Sequence, residues 1–385
     1  MLYSPEVHEP LAGRPWSAQE ARDAIRAIVE DTEAAFDDGW PAHPEDGESE
    51  TVRFRTIYLG GAGVVDALYR LAGAGIVEIC RDYVAYLESS LDAIADSPDF
   101  PEYDSQRSLW MGETGIRLVL QRIAPSNANA DRLEQLIAAN AADERRELMW
   151  GSPGTMLAAR ALYDTTGEAR WPMLWQRSAD RLRREWDEET GLWTQHLYGE
   201  VVRYLGPAHG FAGCVLALAA EPDDDLARRV GEVARREAFV QDGLANWPPI
   251  ASVPLEHSRT GQIRTQWCHG APGIITSLTD LLDEDLALAG GELTWRAGPL
   301  AKGANLCHGT AGNGYAFLTL FRRTGAVEWL ARARAFAMHA VGQVERARSA
   351  YQRGRYTLWT GDPGTALYLA ACLEGDGALP LPWAR

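Results

Sequence analysis

Apolar and polar positions along this 385-residue chain alternate on the scale of whole helices. Six stretches are rich in Ala and Leu and apolar on most faces: Val64 to Tyr69, Thr155 to Ala159, Cys214 to Leu218, Ile274 to Leu278, Tyr315 to Leu318 and Thr365 to Ala370. A helix buried on all sides reads this way. Between them lie amphipathic stretches, Ser17 to Phe36, Ile76 to Ala95, Asp131 to Ala142, Trp171 to Trp186, Leu226 to Phe239 and Val327 to Val344, which predict surface helices.

Each apolar stretch follows a Gly-x-x-Gly element. Seven elements start at Gly60, Gly112, Gly151, Gly210, Gly270, Gly309 and Gly361, spaced by 52, 39, 59, 60, 39 and 52 residues. Such recurrence marks a repeat architecture, so one domain over 1–385 with an N-terminal extension of 1–15 is expected in place of two or three. A buried helix alternating with an amphipathic one seven times closes into a ring. The prediction is an all-α fold, an α/α toroid (barrel) with seven inner and seven outer helices, the glycine elements gathered at one end. Glycine suits a sharp turn into a packed helix. No lysine follows the elements, so they are not Walker-type phosphate loops.

Composition narrows the function. With 37 basic against 54 acidic side chains the net charge is −17, which opposes nucleic acid and anionic membranes. Residues 1–17 lack a signal-peptide pattern and no apolar run is long enough to span a membrane, so a cytoplasmic protein is the expectation, and a monomer, since a closed ring needs no partner. Five cysteines over this length are no disulfide framework; Cys80, Cys214 and Cys372 are expected in the core. Residues 41–50, 221–225 and 248–254 read as solvated loops.

The remaining cysteines carry the chemistry. Trp267-Cys268-His269-Gly270 and Leu306-Cys307-His308-Gly309 place Cys268 and Cys307 at equivalent points of consecutive repeats. Two thiolates and one imidazole make a three-ligand zinc site with an open position, the pattern of catalytic zinc. Spacing does not choose between His269 and His308.

These two segments, together with Tyr204 to Gly213, make the chain resemble the lanthionine synthetase C-like family over roughly residues 15 to 375. The resemblance implies Zn2+ held by Cys268, Cys307 and His308, with His209 a catalytic residue and His269 a neighbour. In that family zinc activates a thiol for Michael addition to dehydroalanine or dehydrobutyrine, forming a thioether, and a histidine suits the closing proton transfer. A carboxylate is implied four residues before the third glycine element, typically aspartate in lantibiotic cyclases. Glu147 stands there, and an exposed helical glutamate among Glu144, Arg145 and Arg146 is the competing reading.

The wording of the cysteine motifs is closer to the stand-alone, eukaryotic-type members, associated with glutathione, than to lantibiotic cyclases. Lys302 matches a lysine that those members use for glutathione; Arg353 and Arg355 are candidates to bind carboxylates at the same ring end. The N-terminal basic residue of that branch has no clear counterpart, Arg14 being the one candidate. The expected partners are a thiol, glutathione or a peptide cysteine, and a dehydrated peptide or protein. The alternatives are a cyclase closing lanthionine rings in a precursor peptide and a non-catalytic zinc- or thiol-binding scaffold.

Overall fold

The computed structural model describes residues 2–251 and 263–379. Its first helices in chain order are α1 (Ala18–Ala34), α2 (Gly61–Gly73), α3 (Val84–Asp96), α4 (Glu113–Ile123), α5 (Asn127–Asn140), α6 (Ser152–Thr166) and α7 (Arg170–Arg184). There follow α8 (Phe211–Leu218), α9 (Asp224–Glu237), α10 (Ala271–Leu278), α11 (Glu284–Ala297), α12 (Thr310–Thr324), α13 (Val327–Tyr351) and α14 (Asp362–Glu374). Even-numbered helices are nearly all buried, and each packs on the next even one until α14 returns to α2. The ring therefore closes with seven inner helices. The odd-numbered helices cover it, and α1 bridges the seam by packing on α13 and α14.

In all seven inner helices the N-cap is the first glycine of an element, so every element lies at the same end of the ring. The second glycine has a packing reason. A Cβ on Gly312 would lie 1.8 Å from the Leu306 carbonyl oxygen and 3.1 Å from Trp267 Cβ. On Gly63 it would lie 2.1 Å from the Ile57 carbonyl oxygen and 2.8 Å from Leu358 Cβ. The residue six before each second glycine thus wedges against the neighbouring repeat. Gly312→Ala is expected to cost more than about 3 kcal/mol, because the obstacle is backbone and cannot rotate away; an unchanged melting temperature would contradict this packing.

Three indoles fill the middle of the ring. Trp359 meets Trp110 at 4.8 Å and Trp267 at 4.5 Å between ring centroids, and all three are buried. They come from repeats seven, two and five, which are not neighbours, so they touch only by meeting across the centre.

Some expectations need correction. Two short hairpins interrupt the helical text, β1 (Gln195–Leu197) with β2 (Glu200–Val202) and β3 (Phe239–Gln241) with β4 (Leu244–Asn246). Cys80 is exposed rather than in the core. Its backbone N–H donates to the Glu33 carboxylate at 2.8 Å, which holds residues before Val84 out of helix. Cys214 and Cys372 are buried as expected. Of the loop expected over 248–254, residues 252–254 lie outside the described residues. No helix among those described is long and apolar enough to cross a membrane.

Candidate active site

Two residues before the first glycine, the first, fifth, sixth and seventh repeats each donate a backbone hydrogen bond to a neighbouring repeat. Tyr58 N–H donates to Trp110 O at 3.0 Å, Cys268 to Cys307 at 3.1 Å and Cys307 to Trp359 at 2.9 Å. This rung sets the cysteines side by side. Both are buried and neither forms a disulfide. Besides the contact between them, Cys307 Sγ accepts from the Tyr58 hydroxyl at 3.1 Å and Cys268 Sγ from the Gln266 amide at 2.9 Å.

The pair shares a proton unequally. Donation from the Cys307 thiol brings Cys268 down to about 7, with Gln266 adding to it and burial opposing. Cys307, tied up by that same bond and desolvated, goes up. Burial first, then Lys302 and Arg355, lowers His308 to about 4, so its imidazole is neutral at pH 7. Burial likewise lowers His269 to about 3.

These groups line a cavity of about 310 Å³ together with Tyr58, Trp150, Tyr198, His209, Arg264 and Lys302. Among the described residues no three His, Cys, Asp or Glu side chains converge as a metal cage. The chemistry of the donor set nonetheless fits zinc: two adjoining thiols, unlinked by a disulfide, share a cavity with a neutral imidazole. His308 is the candidate third donor, and the buried His269 shares the wall.

The offset four residues before the first glycine caps the turn. Ser108 Oγ accepts from Trp110 N–H at 3.1 Å and Met111 N–H at 2.9 Å, and Asn305 Oδ1 accepts from His308 N–H at 3.0 Å. Glu147 holds this place in the third repeat, where it accepts from the N–H groups of Met149, Trp150 and Gly151 at 2.9, 2.6 and 3.1 Å. A carboxylate has acceptor capacity to spare, and Glu147 Oε2 lies 2.9 Å from His209 Nδ1. A carboxylate only accepts, so Nδ1 carries the hydrogen and Nε2 is left for chemistry. Glu147 is fully buried and non-helical, so the exposed-helix reading is set aside. Its charged neighbours turn away: Arg145 pairs with Asp143, and Arg146, at φ +47°, pairs with Glu185 at 2.6 Å.

Lys302 is held on a loop that the N-terminal extension straps down. Glu9 N–H donates to Pro299 O at 2.9 Å and Ala301 N–H to Val7 O at 3.0 Å. Arg355 does not line the thiol cavity. Its guanidinium is taken by Glu45 and Asp46, at 2.9 Å each, beside an adjoining cavity that Lys302 also lines. Arg353 is paired with Glu50 at 3.4 Å. Arg14 binds Glu20 and Glu345 outside the site.

Sequence reasoning missed Tyr58, Gln266, Arg264 and Tyr198. Tyr58 had a signal, since it stands two before its glycine in register with Cys268 and Cys307, and Gln266 shares the offset of Glu147. Lys302 carries a further signal: it is the chain's only lysine, every other Lys or Arg position being arginine.

The comparisons agree with this architecture. Over 183 residues, 44% of this chain and 43% of the relative, the sequence is 38% identical to Glutathione S-transferase LANCL1 of Danio rerio. It is 31% identical over 146 residues, 36% of this chain and 32% of the relative, to LanC-like protein GCL1 of Arabidopsis thaliana. The matches thus span less than half the length of these curated relatives. Nisin cyclase shares the fold at TM-score 0.57 and 16% identity, with 92% of this chain and 94% of that one covered. The sequence model for "Lanthionine synthetase C-like protein" matches residues 53–384, beginning later than the resemblance read from residue 15 and leaving out α1. The chain belongs to the lanthionine synthetase C-like family.

Proposed function

We propose that the chain is a zinc-dependent enzyme adding a thiol such as glutathione to dehydroalanine or dehydrobutyrine in a peptide or protein. One observation carries the reading: the Cys268–Cys307 pair and the Glu147-bound His209 line a single cavity with Arg264 and Lys302. Cys268, Cys307 and His308 would hold the zinc, which when bound lowers the pKa of a thiol substrate.

The other roles fall to side chains. The thiol, having released its proton to solvent, bonds through sulfur to the β-carbon of the dehydro residue, and the displaced π pair moves into the adjoining amide as an enolate. His209, having taken a proton from solvent on Nε2 while Nδ1–H stays bonded to Glu147, gives that Nε2 proton to the α-carbon and returns to the neutral Nδ1–H ring. Glu147 holds the ring in orientation throughout. Lys302, exposed at the cavity wall, offers three donors to a carboxylate of the thiol.

Lys302→Gln is accordingly expected to raise KM for glutathione about tenfold, the lower end for a charge-assisted hydrogen bond because the site is solvated. Its kcat should change less than about twofold, with 2-mercaptoethanol unaffected. Steady-state kinetics with both thiols check this, and an equal rise for both would remove the role.

Likeness in fold to nisin cyclase favours a second reading, closure of lanthionine rings within one peptide. Incubating the purified protein with glutathione and a dehydroalanine peptide separates the two by mass spectrometry. A glutathione adduct supports the first; no adduct, with ring closure in a cognate dehydrated peptide, supports the second.

A further inference from the structure

The two hairpins turn through two-residue loops with both residues at positive φ. In one these are Asp242 at 52° and Gly243 at 74°, residue types that accept this backbone. In the other they are Tyr198 at 55° and Gly199 at 76°. A bulky aromatic side chain in left-handed backbone is an outlier, and such outliers cluster at functional sites.

What Tyr198 gains there is a place over the dyad. Its ring stands edge-on to His209 at 5.7 Å between centroids, in the cavity that holds Cys268 and Cys307. Its hydroxyl oxygen accepts from Trp150 Nε1–H at 3.2 Å. Indole N–H only donates, so that bond leaves the tyrosine's own hydrogen unused, and it has no acceptor among the described residues. The residue as a whole is 47% exposed; partial desolvation of its phenol, the largest cause, raises it to about 12, and like any phenol it is a donor at neutral pH.

We propose that Tyr198 is the oxyanion donor of thiol addition, its O–H bonding the carbonyl oxygen of the dehydro residue as that oxygen takes up enolate charge. The proposal deepens the reading above and rests on it. His209 serves the α-carbon, and the carbonyl is bonded to that carbon, so a donor against His209 meets the oxygen where charge develops. As sulfur bonds to the β-carbon, the C=C pair moves toward oxygen. Protonation of the α-carbon by His209 restores the carbonyl, and Tyr198 keeps its proton throughout.

The test is Tyr198→Phe, which keeps the ring and lacks the donor. Circular dichroism should match wild type. With a dehydroalanine amide as acceptor, kcat should fall about 30- to 300-fold, the scale of one lost oxyanion donor, with KM for glutathione unchanged. With the corresponding methyl ester, whose enolate is intrinsically more stable, the loss should shrink several-fold. A merely structural tyrosine would give the same fractional loss with both acceptors, and that result overturns the proposal, as does wild-type activity in the variant. No addition by the wild type overturns the proposed function and this donor with it. An active wild type and an unaffected variant overturn the donor alone.

Discussion

Cys307→Ala is expected to lose both bound zinc and thiol addition, the latter by about 10³-fold or more, equivalent to about 4 kcal/mol of barrier. Two features make this the most damaging exchange: in the proposed site Cys307 would supply one of two thiolates, and its sulfur is the acceptor for the Tyr58 hydroxyl. Its backbone N–H and carbonyl are also both rungs between repeats. The rungs are backbone and survive alanine, so the fold should lose only about 1 to 2 kcal/mol. Cys214→Ala is the matched control: Cys214 is buried too, but its Sγ–H donates to the Arg146 carbonyl at 3.1 Å. Metal content by atomic emission decides. Full zinc occupancy in Cys307→Ala would remove the basis of the mechanism, whereas loss from Cys307→Ala and retention in Cys214→Ala would sustain it.

Glu147→Gln is expected to lower kcat about 10²- to 10³-fold and stability by about 2 to 4 kcal/mol. Three backbone N–H groups and the His209 ring N–H converge on its carboxylate. An amide retains one acceptor oxygen and sets an NH2 group against donors. The turn before α6 is loosened and the imidazole is released from its tautomer in one substitution. His209→Ala separates the effects, since it leaves the turn capped and removes only the proposed proton donor. It should match Glu147→Gln in lost activity while melting near wild type. A Glu147→Gln protein with full activity would show that the contact is structural alone.

Much of the ring was legible because its cause is steric and local. A residue with a Cβ at position 312 or 63 would strike the chain's own backbone, so glycine at fixed offsets is written into every repeat. What failed was text whose meaning depends on distant partners. Helix α11 was not among the expected surface stretches because Gly290 and Gly291 interrupt its pattern, yet Gly290 is what allows approach to Ala271 and Ile275. The three-residue strands are too short for a period to declare itself, although Asp242-Gly243 is a turn signal. At Glu147 the flanking charges suggested solvent, and only the fold reveals that Arg145 and Arg146 face other acids. Arg355 had the right charge at the right end of the ring, and Glu45 and Asp46, more than three hundred residues earlier in the chain, claim it. The thiol pair was the most legible feature, since equivalent offsets in consecutive repeats need no distant information.

The indole plug of Trp110, Trp267 and Trp359 bears on traffic. A ring stopped at its middle is a cup rather than a tunnel, so in the proposed reaction both reactants and the finished thioether would use the same doorway. A small thiol held against the cysteines would have to arrive before the bulkier acceptor covers it, and the next acceptor would wait until the product has backed out. Order of binding would then follow from the shape of the vessel alone.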